Sequence, residues 1–344
     1  MRVNIYRVFS LLLISFSFVS SDTLEAQVGE TRICKWKDDK IGSFTIGADD
    51  ALNSQLDNMV PELSKRDFVA TFWIVNKYSF TSRNKEWRAL PKQGFDFANH
   101  SWTHRNIANI DEAEEEIKKA AEAIRQFNPS QGRLLLWCRP GGTNWGKVLT
   151  QDQENGLLKK YGMAHESGGP YNWGGRGQNQ AFSTRNSKNI WGNKSFDELK
   201  YHVDKAINKG VWSFLIFHGI GGDHMKQDLK PFVEMLEYME QNKDKLWFPT
   251  CTQAYKYAKE YQTAKCNTSK VSKDSIVINL SSDTDPELFD YPLSLITKIS
   301  SGWKTCKVTQ NGNSSTYPVK NGEVMYEVLP NKGEIKLTKA IASR

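Results

Sequence analysis

Residues 95–104 read Phe-Asp-Phe-Ala-Asn-His-Ser-Trp-Thr-His and place His100 and His104 four positions apart. On a helix, this spacing brings both imidazoles to one face, about one turn apart, so that one ion can contact both. Residues 94–98 alternate like a half-buried strand and Asn99 is a good helix N-cap, which predicts a strand followed by a helical turn from His100. The same spacing also occurs on ordinary polar helix faces, so a metal site needs support from elsewhere in the chain.

Strand and helix patterns alternate on both sides of this stretch. The alternation recurs about seven times through residues 33–261, which is typical of parallel strands joined by right-handed crossovers. The predicted strands cover residues 33–36, 42–46, 68–75, 94–98, 133–137, 211–217 and 246–249. This number favours a closed or nearly closed α/β barrel over an open sheet.

The pattern changes after Cys266. Short strands are predicted at residues 275–280, 293–299, 304–308, 316–319, 323–328 and 334–337, separated by Asp-Pro, Asn-Gly and Asn-Lys-Gly turns. Evenly spaced short strands with such turns predict a small, immunoglobulin-like β-sandwich. We therefore divide the 344 residues into a barrel over residues 27–264 and a β-sandwich accessory domain over residues 265–344.

The first 26 residues have the pattern of a secretory signal peptide. Arg2 and Arg7 precede an apolar run over residues 8–19 and a small, polar segment over residues 20–26. The apolar run is shorter than a spanning helix needs, which predicts a secreted or periplasmic protein with no membrane span after cleavage. Cleavage before Gln27 is expected; cleavage near Ser20 and an uncleaved anchor remain alternatives.

Charge and cysteine usage narrow the function classes further. The net charge is +7, but basic and acidic residues are interspersed along the chain and form no basic runs. Nucleic acid is therefore not an expected partner. The five cysteines form no Cys-x-x-Cys pair, which argues against a structural zinc site. Cys138 follows an apolar strand and is expected to be a buried thiol outside any disulfide, whereas Cys266 and Cys306 are candidates for a bridge.

Polar residues follow four of the predicted strands, where the carboxyl ends of a parallel barrel converge: Asp49 with Asp50, His100 with His104, Arg139, and His218. Two histidines and a carboxylate form a common catalytic zinc set, while a neighbouring carboxylate can take a proton from water. Arg139 is a cation that can orient such a base, and His218 can protonate a leaving group. Backbone N–H groups near Gly142 can meet an oxyanion, so the set predicts metal-assisted hydrolysis of an acyl group.

This arrangement resembles the polysaccharide deacetylases, family 4 of the carbohydrate esterases, over roughly residues 40–260. The matching stretches are Thr45-Ile-Gly-Ala-Asp49-Asp50, Asn99-His-Ser-Trp-Thr-His104, Cys138-Arg-Pro-Gly141, Tyr171-Asn-Trp173 and Leu215-Ile-Phe-His218. The resemblance implies a distorted (β/α) barrel of seven strands. It also implies that Asp49 is the catalytic base, that Arg139 orients it, that His218 is the general acid, and that the metal ligands are Asp50, His100 and His104.

The same resemblance implies acetylated polysaccharides or oligosaccharides as substrates. It also implies a divalent metal cofactor, for which Zn²⁺ is the first candidate and Co²⁺ and Ni²⁺ are alternatives. Asn172 stands where the family has an aspartate supporting the acid histidine, so Asp223 or Glu166 would have to replace it, or the acid is weaker. We expect Trp145, Trp173 and Trp191 either to stack on sugar rings or to pack internally. An O-acetyl esterase acting on acetylxylan and a catalytically degenerate glycan-binding protein are the alternative functions.

Overall fold

The computed structural model describes residues 27–165 and 187–340. The predicted signal peptide lies outside these ranges. No helix within them is long and apolar enough to cross a membrane.

The described chain folds into two β-sheets and a set of helices. In chain order the strands are β1 (Thr31–Ile33), β2 (Gly42–Asp49), β3 (Thr71–Ile74), β4 (Asp96–Asn99), β5 (Leu135–Trp137), β6 (Met163–His165), β7 (Ser187–Asn189), β8 (Trp212–Phe217), β9 (Leu246–Trp247), β10 (Lys265–Val271), β11 (Ser275–Ser281), β12 (Leu293–Lys298), β13 (Thr305–Gln310), β14 (Asn313–Lys320), β15 (Glu323–Val328) and β16 (Ile335–Lys339). The α-helices are α1 (Val60–Ser64), α2 (Tyr78–Ser82), α3 (Asn84–Trp87), α4 (Ile110–Phe127), α5 (Trp145–Val148), α6 (Gln151–Lys160), α7 (Phe196–Lys209), α8 (Leu229–Glu240) and α9 (Cys251–Thr263).

Sequence-local signals start several of these helices. Helices α6, α7 and α9 begin with capping boxes. In each, a Thr or Ser side chain accepts from the N–H of the third helical residue, and the Gln or Glu side chain of that residue accepts from the N–H of the Thr or Ser. The side chain of Asn109 caps α4 in the simpler way, by accepting from the Glu112 N–H.

The first sheet is parallel, with seven strands in the order β6-β5-β4-β3-β2-β8-β7, and β9 pairs with the start of β2. The predicted distorted barrel of seven parallel strands is confirmed. Among the described residues no ladder joins β6 to β7, which are the two ends of this strand order. Gly47 is required in β2, because a Cβ at this position would lie 2.2 Å from the indole of Trp73 on the adjacent strand.

Residue alternation gives the barrel strands two different faces. Phe44, Ile46 and Ala48 of β2 pack with the apolar residues of α4, α7 and α8 in one core. The opposite faces of the strands belong to a second core, which includes Trp73, Ala98, Leu136 and Ile216 and extends to α9 and the antiparallel sheet. This second set lines the barrel interior. Residues that continue the same alternation just beyond the strand ends therefore also face inward.

The second sheet is antiparallel, in the order β1-β12-β15-β14-β13-β16-β11-β10. β14 changes partner along its length, pairing with β13 up to Pro318 and with β15 from Val319. The inward residues from both halves share one core, including Leu295 and Tyr326 from one half and Ile278 from the other. The sandwich-like C-terminal region predicted from the sequence is therefore present.

The prediction for the first strand is wrong in its partner. The strand is Thr31–Ile33 rather than residues 33–36, and it pairs with β12 of the antiparallel sheet instead of the barrel. Tyr257 of α9 strengthens this link by donating its hydroxyl to the Cys34 carbonyl at 2.7 Å. A pairing partner more than 260 residues away leaves no mark on the local pattern.

All five cysteines lie in the described part of the chain, and none of them forms a disulfide. The bridge suggested between Cys266 and Cys306 is therefore wrong. The two residues lie on β10 and β13, which are not neighbours in the sheet. Cys138 is buried and outside any disulfide, as predicted.

Candidate active site

Asp49 and Asp50 stand at the carboxyl end of β2, at the middle of the parallel sheet. Asp49 is the last residue of the strand, and Asp50 turns the chain with a left-handed φ of 75°. The Asp50 N–H donates to the Trp73 carbonyl at 3.0 Å, which fixes the turn. Both residues are buried: Asp49 is 4 % exposed and Asp50 is 9 % exposed. A non-glycine residue in this backbone region is strained, and such strain is concentrated at functional sites.

The histidine stretch is a structured loop, so the helical turn predicted from His100 is wrong. Ser101 and His104 both have left-handed φ angles, of 67° and 53°. Asn99 does not cap a helix here, because its side-chain oxygen accepts from the Ser101 N–H at 2.9 Å, and Ser101 Oγ accepts from the His104 N–H at 2.9 Å. Glu116 of α4 holds the loop from outside by accepting from the Thr103 N–H at 2.7 Å.

The loop nevertheless brings the two imidazoles together over Asp50. Nε2 of His100 and Nε2 of His104 each lie 3.8 Å from Asp50 Oδ1, and the ring centroids are 5.0 Å apart. The His100 Nδ1 hydrogen bonds with the Cys138 carbonyl at 2.9 Å, which leaves Nε2 facing the carboxylate. These three residues form a set whose ligand atoms lie within 4.8 Å of one another.

The charges of this set fit a divalent cation. Burial raises the pKa of Asp49 well above its usual value, and the adjacent Asp50 raises it further. Burial lowers the pKa of His100 and of His104, so neutral imidazoles are favoured. Among the described residues no lysine or arginine pairs with either aspartate, and Asp49 Oδ1 is buried without a hydrogen-bond partner. Two acids and two neutral imidazoles in one pocket are a donor set suited to Zn²⁺ or a similar ion.

His218 follows β8 and faces the other carboxylate. Its Nε2 lies 3.8 Å from Asp49 Oδ2, and the ring of His224 lies 6.0 Å away. Burial lowers the pKa of His218. A backbone hydrogen bond with Ile190, the residue after β7, acts in the opposite direction and raises this pKa. Asp223, considered above as its support, accepts instead from the Ser54 N–H at 2.6 Å, and Glu166 and Asn172 lie outside the described residues.

Arg139 has a different carboxylate partner from the one expected. It forms a two-point ion pair with Glu154 of α6, with Nε 3.1 Å from Oε1 and a second contact from the other nitrogen to Oε2. Trp137 Nε1 donates to the same Oε1 at 2.8 Å, and Glu154 is fully buried. No sequence pattern indicated Glu154, although Trp137 at the end of β5 and Arg139 two positions later are both hydrogen-bond donors.

Gln55 joins the two strand ends that carry Asp49 and His218. Its side-chain nitrogen donates to the Asp49 carbonyl at 2.6 Å and to the His218 carbonyl at 3.0 Å. Gln55 is fully buried and opens a π-helical turn, Gln55–Met59. Since the side chain contacts both carbonyls, it fixes the spacing between the base and the acid candidates, a role that no sequence pattern indicated.

The predicted catalytic residues, the predicted metal ligands and Gly142 line one cavity of about 400 Å³. Its lining comprises Asp49, Asp50, His100, His104, Cys138, Arg139, Gly141, Gly142, Asn189, Trp191, His218, His224 and Met225. β7 pairs with β8 beside His218, so residues 189–191 occupy the place next to the acid candidate. No sequence pattern predicted this strand.

The tryptophans differ in position. Trp191 is 68 % exposed at the cavity, as a sugar-stacking ring requires. Trp145 is fully buried against Trp137 and donates Nε1 to the Arg105 carbonyl at 2.9 Å, so of its two expected roles internal packing is confirmed and substrate binding is wrong. Trp173 lies outside the described residues.

Comparison with known proteins bears on the barrel. Residues 37–159 match the family model for polysaccharide deacetylases, which confirms the resemblance found in the sequence. A gellan lyase from Bacillus sp is 20 % identical over 346 residues; the match covers 92 % of this chain and 14 % of that protein. The chain thus spans about one seventh of that relative's length.

Solved structures of low sequence identity also align with the chain. The Xyl-CE4 domain of a multidomain xylanase from the hindgut metagenome of Trinervitermes trinervoides is 12 % identical, with a TM-score of 0.42 covering 62 % of this chain and 89 % of that one. A family 4 carbohydrate esterase from Streptomyces lividans, in complex with acetate, is 17 % identical, with a TM-score of 0.39 covering 60 % and 91 %.

The buried Glu154 gives a test of how Arg139 is held. Glu154→Ala leaves Arg139 and Trp137 without their acceptor and is expected to lower the free energy of unfolding by about 3–5 kcal/mol. Glu154→Gln keeps an acceptor oxygen, so its cost is expected to be smaller, about 1–3 kcal/mol. Urea denaturation followed by circular dichroism measures both. Equal losses in the two variants would show that the charge, and not the hydrogen bonding, holds Arg139.

Proposed function

We propose, from the match of residues 37–159 to the polysaccharide deacetylase family, that this protein hydrolyses acetyl groups from a glycan with the help of a divalent metal ion. The observation that supports this most is the convergence of two carboxylates and three imidazoles in one cavity. Asp50 lies 3.8 Å from the Nε2 atoms of His100 and His104, and Asp49 lies 3.8 Å from that of His218.

Asp50, His100 and His104 are the residues that would hold the ion. When bound, a divalent ion supplies Lewis acidity toward water and toward the acetyl carbonyl. The contact of His100 with the Cys138 carbonyl orients its ring before any ion arrives, and the Ser101 contact fixes the backbone of His104. Such preorganisation lowers the cost of ordering the ligands.

Asp49 and His218 would move the protons. Asp49 accepts a proton from the attacking water, and His218 donates one to the departing nitrogen or oxygen of the sugar. Both side chains face the cavity and are held at their carbonyls by Gln55. The N–H groups near Gly142 lie on the same cavity wall and are candidates for contact with the oxyanion.

The proposed substrate is an acetylated polysaccharide or oligosaccharide outside the cytoplasm. Trp191 and Met225 line the cavity and expose 68 % and 39 % of their surfaces, which provides an apolar platform for a sugar face. The predicted signal peptide supports an exported enzyme, and we assign the antiparallel domain an accessory role in glycan binding. The gellan lyase similarity is in keeping with a module that works on polysaccharide.

One observation favours O-acetyl esters over N-acetyl amides. Among the described residues no carboxylate supports Nδ1 of His218, and Asp223 is engaged with Ser54. Burial lowers the pKa of His218, so a smaller fraction of its imidazole carries the proton that a leaving group needs. Esters depend less on protonation of the leaving group than amides do, so an O-acetylated glycan is the second candidate substrate.

The proposal is tested by acetate release from chitooligosaccharides, peptidoglycan and acetylated xylan, each with added zinc and with a chelator. We expect chelator-sensitive release from at least one glycan, and the preferred glycan identifies the bond. Protein that holds metal but releases no acetate from any of these substrates would instead support the glycan-binding alternative.

Two variants separate the proposed base from the ligands in the same assay. Asp49→Asn is expected to retain bound metal but lose at least about 100-fold in kcat, the lower range for removal of a general base. His104→Ala is expected to lose both metal and activity. Metal content is measured by mass spectrometry after dialysis. Equal metal loss in the two variants would contradict the assignment of Asp49 as base.

The role of His218 is tested by varying the leaving group. His218→Gln is expected to lower kcat on acetylated glycan by about 100-fold or more, because a sugar leaving group needs a proton. The fall in kcat should be far smaller on an aryl acetate, because its phenolate leaves without protonation. Metal content serves as the control. A loss of the same size on both substrates would argue that His218 positions other groups and is not the acid.

A further inference from the structure

A cleft opens in the antiparallel sheet where β14 and β15 diverge. Within the described chain, the ladder between these strands holds two residue pairs, and the pair next to the cleft is Val319 with Val324. At the other end of the cleft, the Gln310 side chain donates to the Leu329 carbonyl at 2.7 Å and accepts from the Leu329 N–H at 3.0 Å. The cleft is therefore fixed at both ends, and its cavity measures about 500 Å³.

Most of the side chains on the β13–β14 side of this cleft are polar and uncharged. Asn311, Asn313, Ser314 and Ser315 line the cavity and are exposed. Asparagine amides and serine hydroxyls both donate and accept hydrogen bonds, as the hydroxyl groups of a sugar do. Tyr317 lies half-buried in the same lining and adds an aromatic ring against which a sugar face can pack. This lining suits a ligand rich in hydroxyl groups.

The acids of the cleft already have basic partners. Asp290 Oδ1 accepts from Lys256 Nζ at 2.6 Å, and Glu327 pairs with Lys37. Lys332 is the other charged residue of the lining. Because these ion pairs cancel most of the charge, the cleft favours an uncharged saccharide over a charged polymer.

Asp290 also lines a second cavity, of about 300 Å³. This cavity lies between the start of β4, the start of α9 and Tyr291, and Asp96, Thr252 and Lys256 of its lining are each less than 10 % exposed. Because Asp290 belongs to both linings, the two cavities adjoin. Together they form a groove from the barrel to the antiparallel sheet, large enough for a small-molecule or sugar ligand.

The groove lies away from the active site. Among the described residues, none lines both the groove and the active-site cavity. The active-site cavity gathers residues that end β2 or follow β8, whereas Asp96 is the first residue of β4 and marks the opposite edge of the parallel sheet. A saccharide in the groove therefore leaves the active site free.

We propose that the groove is a second saccharide-binding site, which holds an uncharged polysaccharide chain against Tyr317 and Tyr291. The inference rests on the proposed function for the class of ligand, and it adds where the accessory contact is made. When one polymer occupies the groove, its other segments reach the active site at a raised effective concentration. The groove thus matters for a long or insoluble glycan and not for a short oligosaccharide, which reaches one site at a time.

Glycan retention measured without turnover tests the proposal. The probes are soluble acetylated xylan in native affinity gels and insoluble chitin in sedimentation, both with a chelator present. Ser315→Arg places a long, charged side chain in the cleft, and Ser130→Arg does so in the second cavity. Thr316→Arg is the matched control, because Thr316 is exposed on the same strand as Ser315 but lies outside the lining.

We expect the wild type and Thr316→Arg to bind at least one of these glycans. Ser315→Arg and Ser130→Arg should bind it at least about tenfold more weakly, the scale on which one important contact residue acts. Acetate release from short chitooligosaccharides, measured with zinc in place of the chelator, should be the same in all four proteins.

Three results would overturn the proposal: no retention of the wild type, retention that the chelator abolishes, or equal retention of all four proteins. Retention as expected, without acetate release from any glycan, would overturn the proposed function and leave the groove as a binding site.

Discussion

Two adjacent carboxylates buried at the end of one strand are the constraint around which the site is arranged. Asp49 and Asp50 are both less than 10 % exposed, and the charge of Asp50 adds to burial in raising the pKa of Asp49. Within the described residues three imidazoles lie 3.8 Å from these carboxylates. Arg139, which also lines the cavity, forms its ion pair with Glu154. A bound cation would compensate the negative charge of the two buried carboxylates, so the arrangement favours a metal site.

The barrel supplies the rigidity that such a site needs. Parallel pairing brings the carboxyl ends of β5, β4, β3, β2 and β8 to the same edge of the sheet, and residue alternation turns one face of each strand inward. Buried side chains then fix the remaining freedom. Gln55 joins the ends of β2 and β8, and Glu154 ties Arg139 to α6. Groups held by packing and by hydrogen bonds to neighbours keep the geometry that chemistry requires without reorganisation.

The sequence predicted what depends on local pattern. Alternation and strand-end polarity were enough to place Asp49, His100 and His218 on one face of a seven-stranded barrel, and the turn-rich C-terminal pattern predicted antiparallel strands. The errors arise where distant side chains decide local structure. The helical turn at His100 fails because Ser101 and Glu116 satisfy the backbone of a loop. Trp145 is buried because Trp137 and the Arg105 carbonyl lie behind it.

The position of a bound ion decides whether Asp50, His100 and His104 form a metal site. Crystals grown with zinc, with anomalous diffraction recorded on both sides of the zinc edge, locate it independently of any assay. We expect one strong peak about 2.0–2.2 Å from Asp50 Oδ1 and from the Nε2 atoms of His100 and His104. A peak bound by other residues, or no peak in this cavity at saturating zinc, would contradict it.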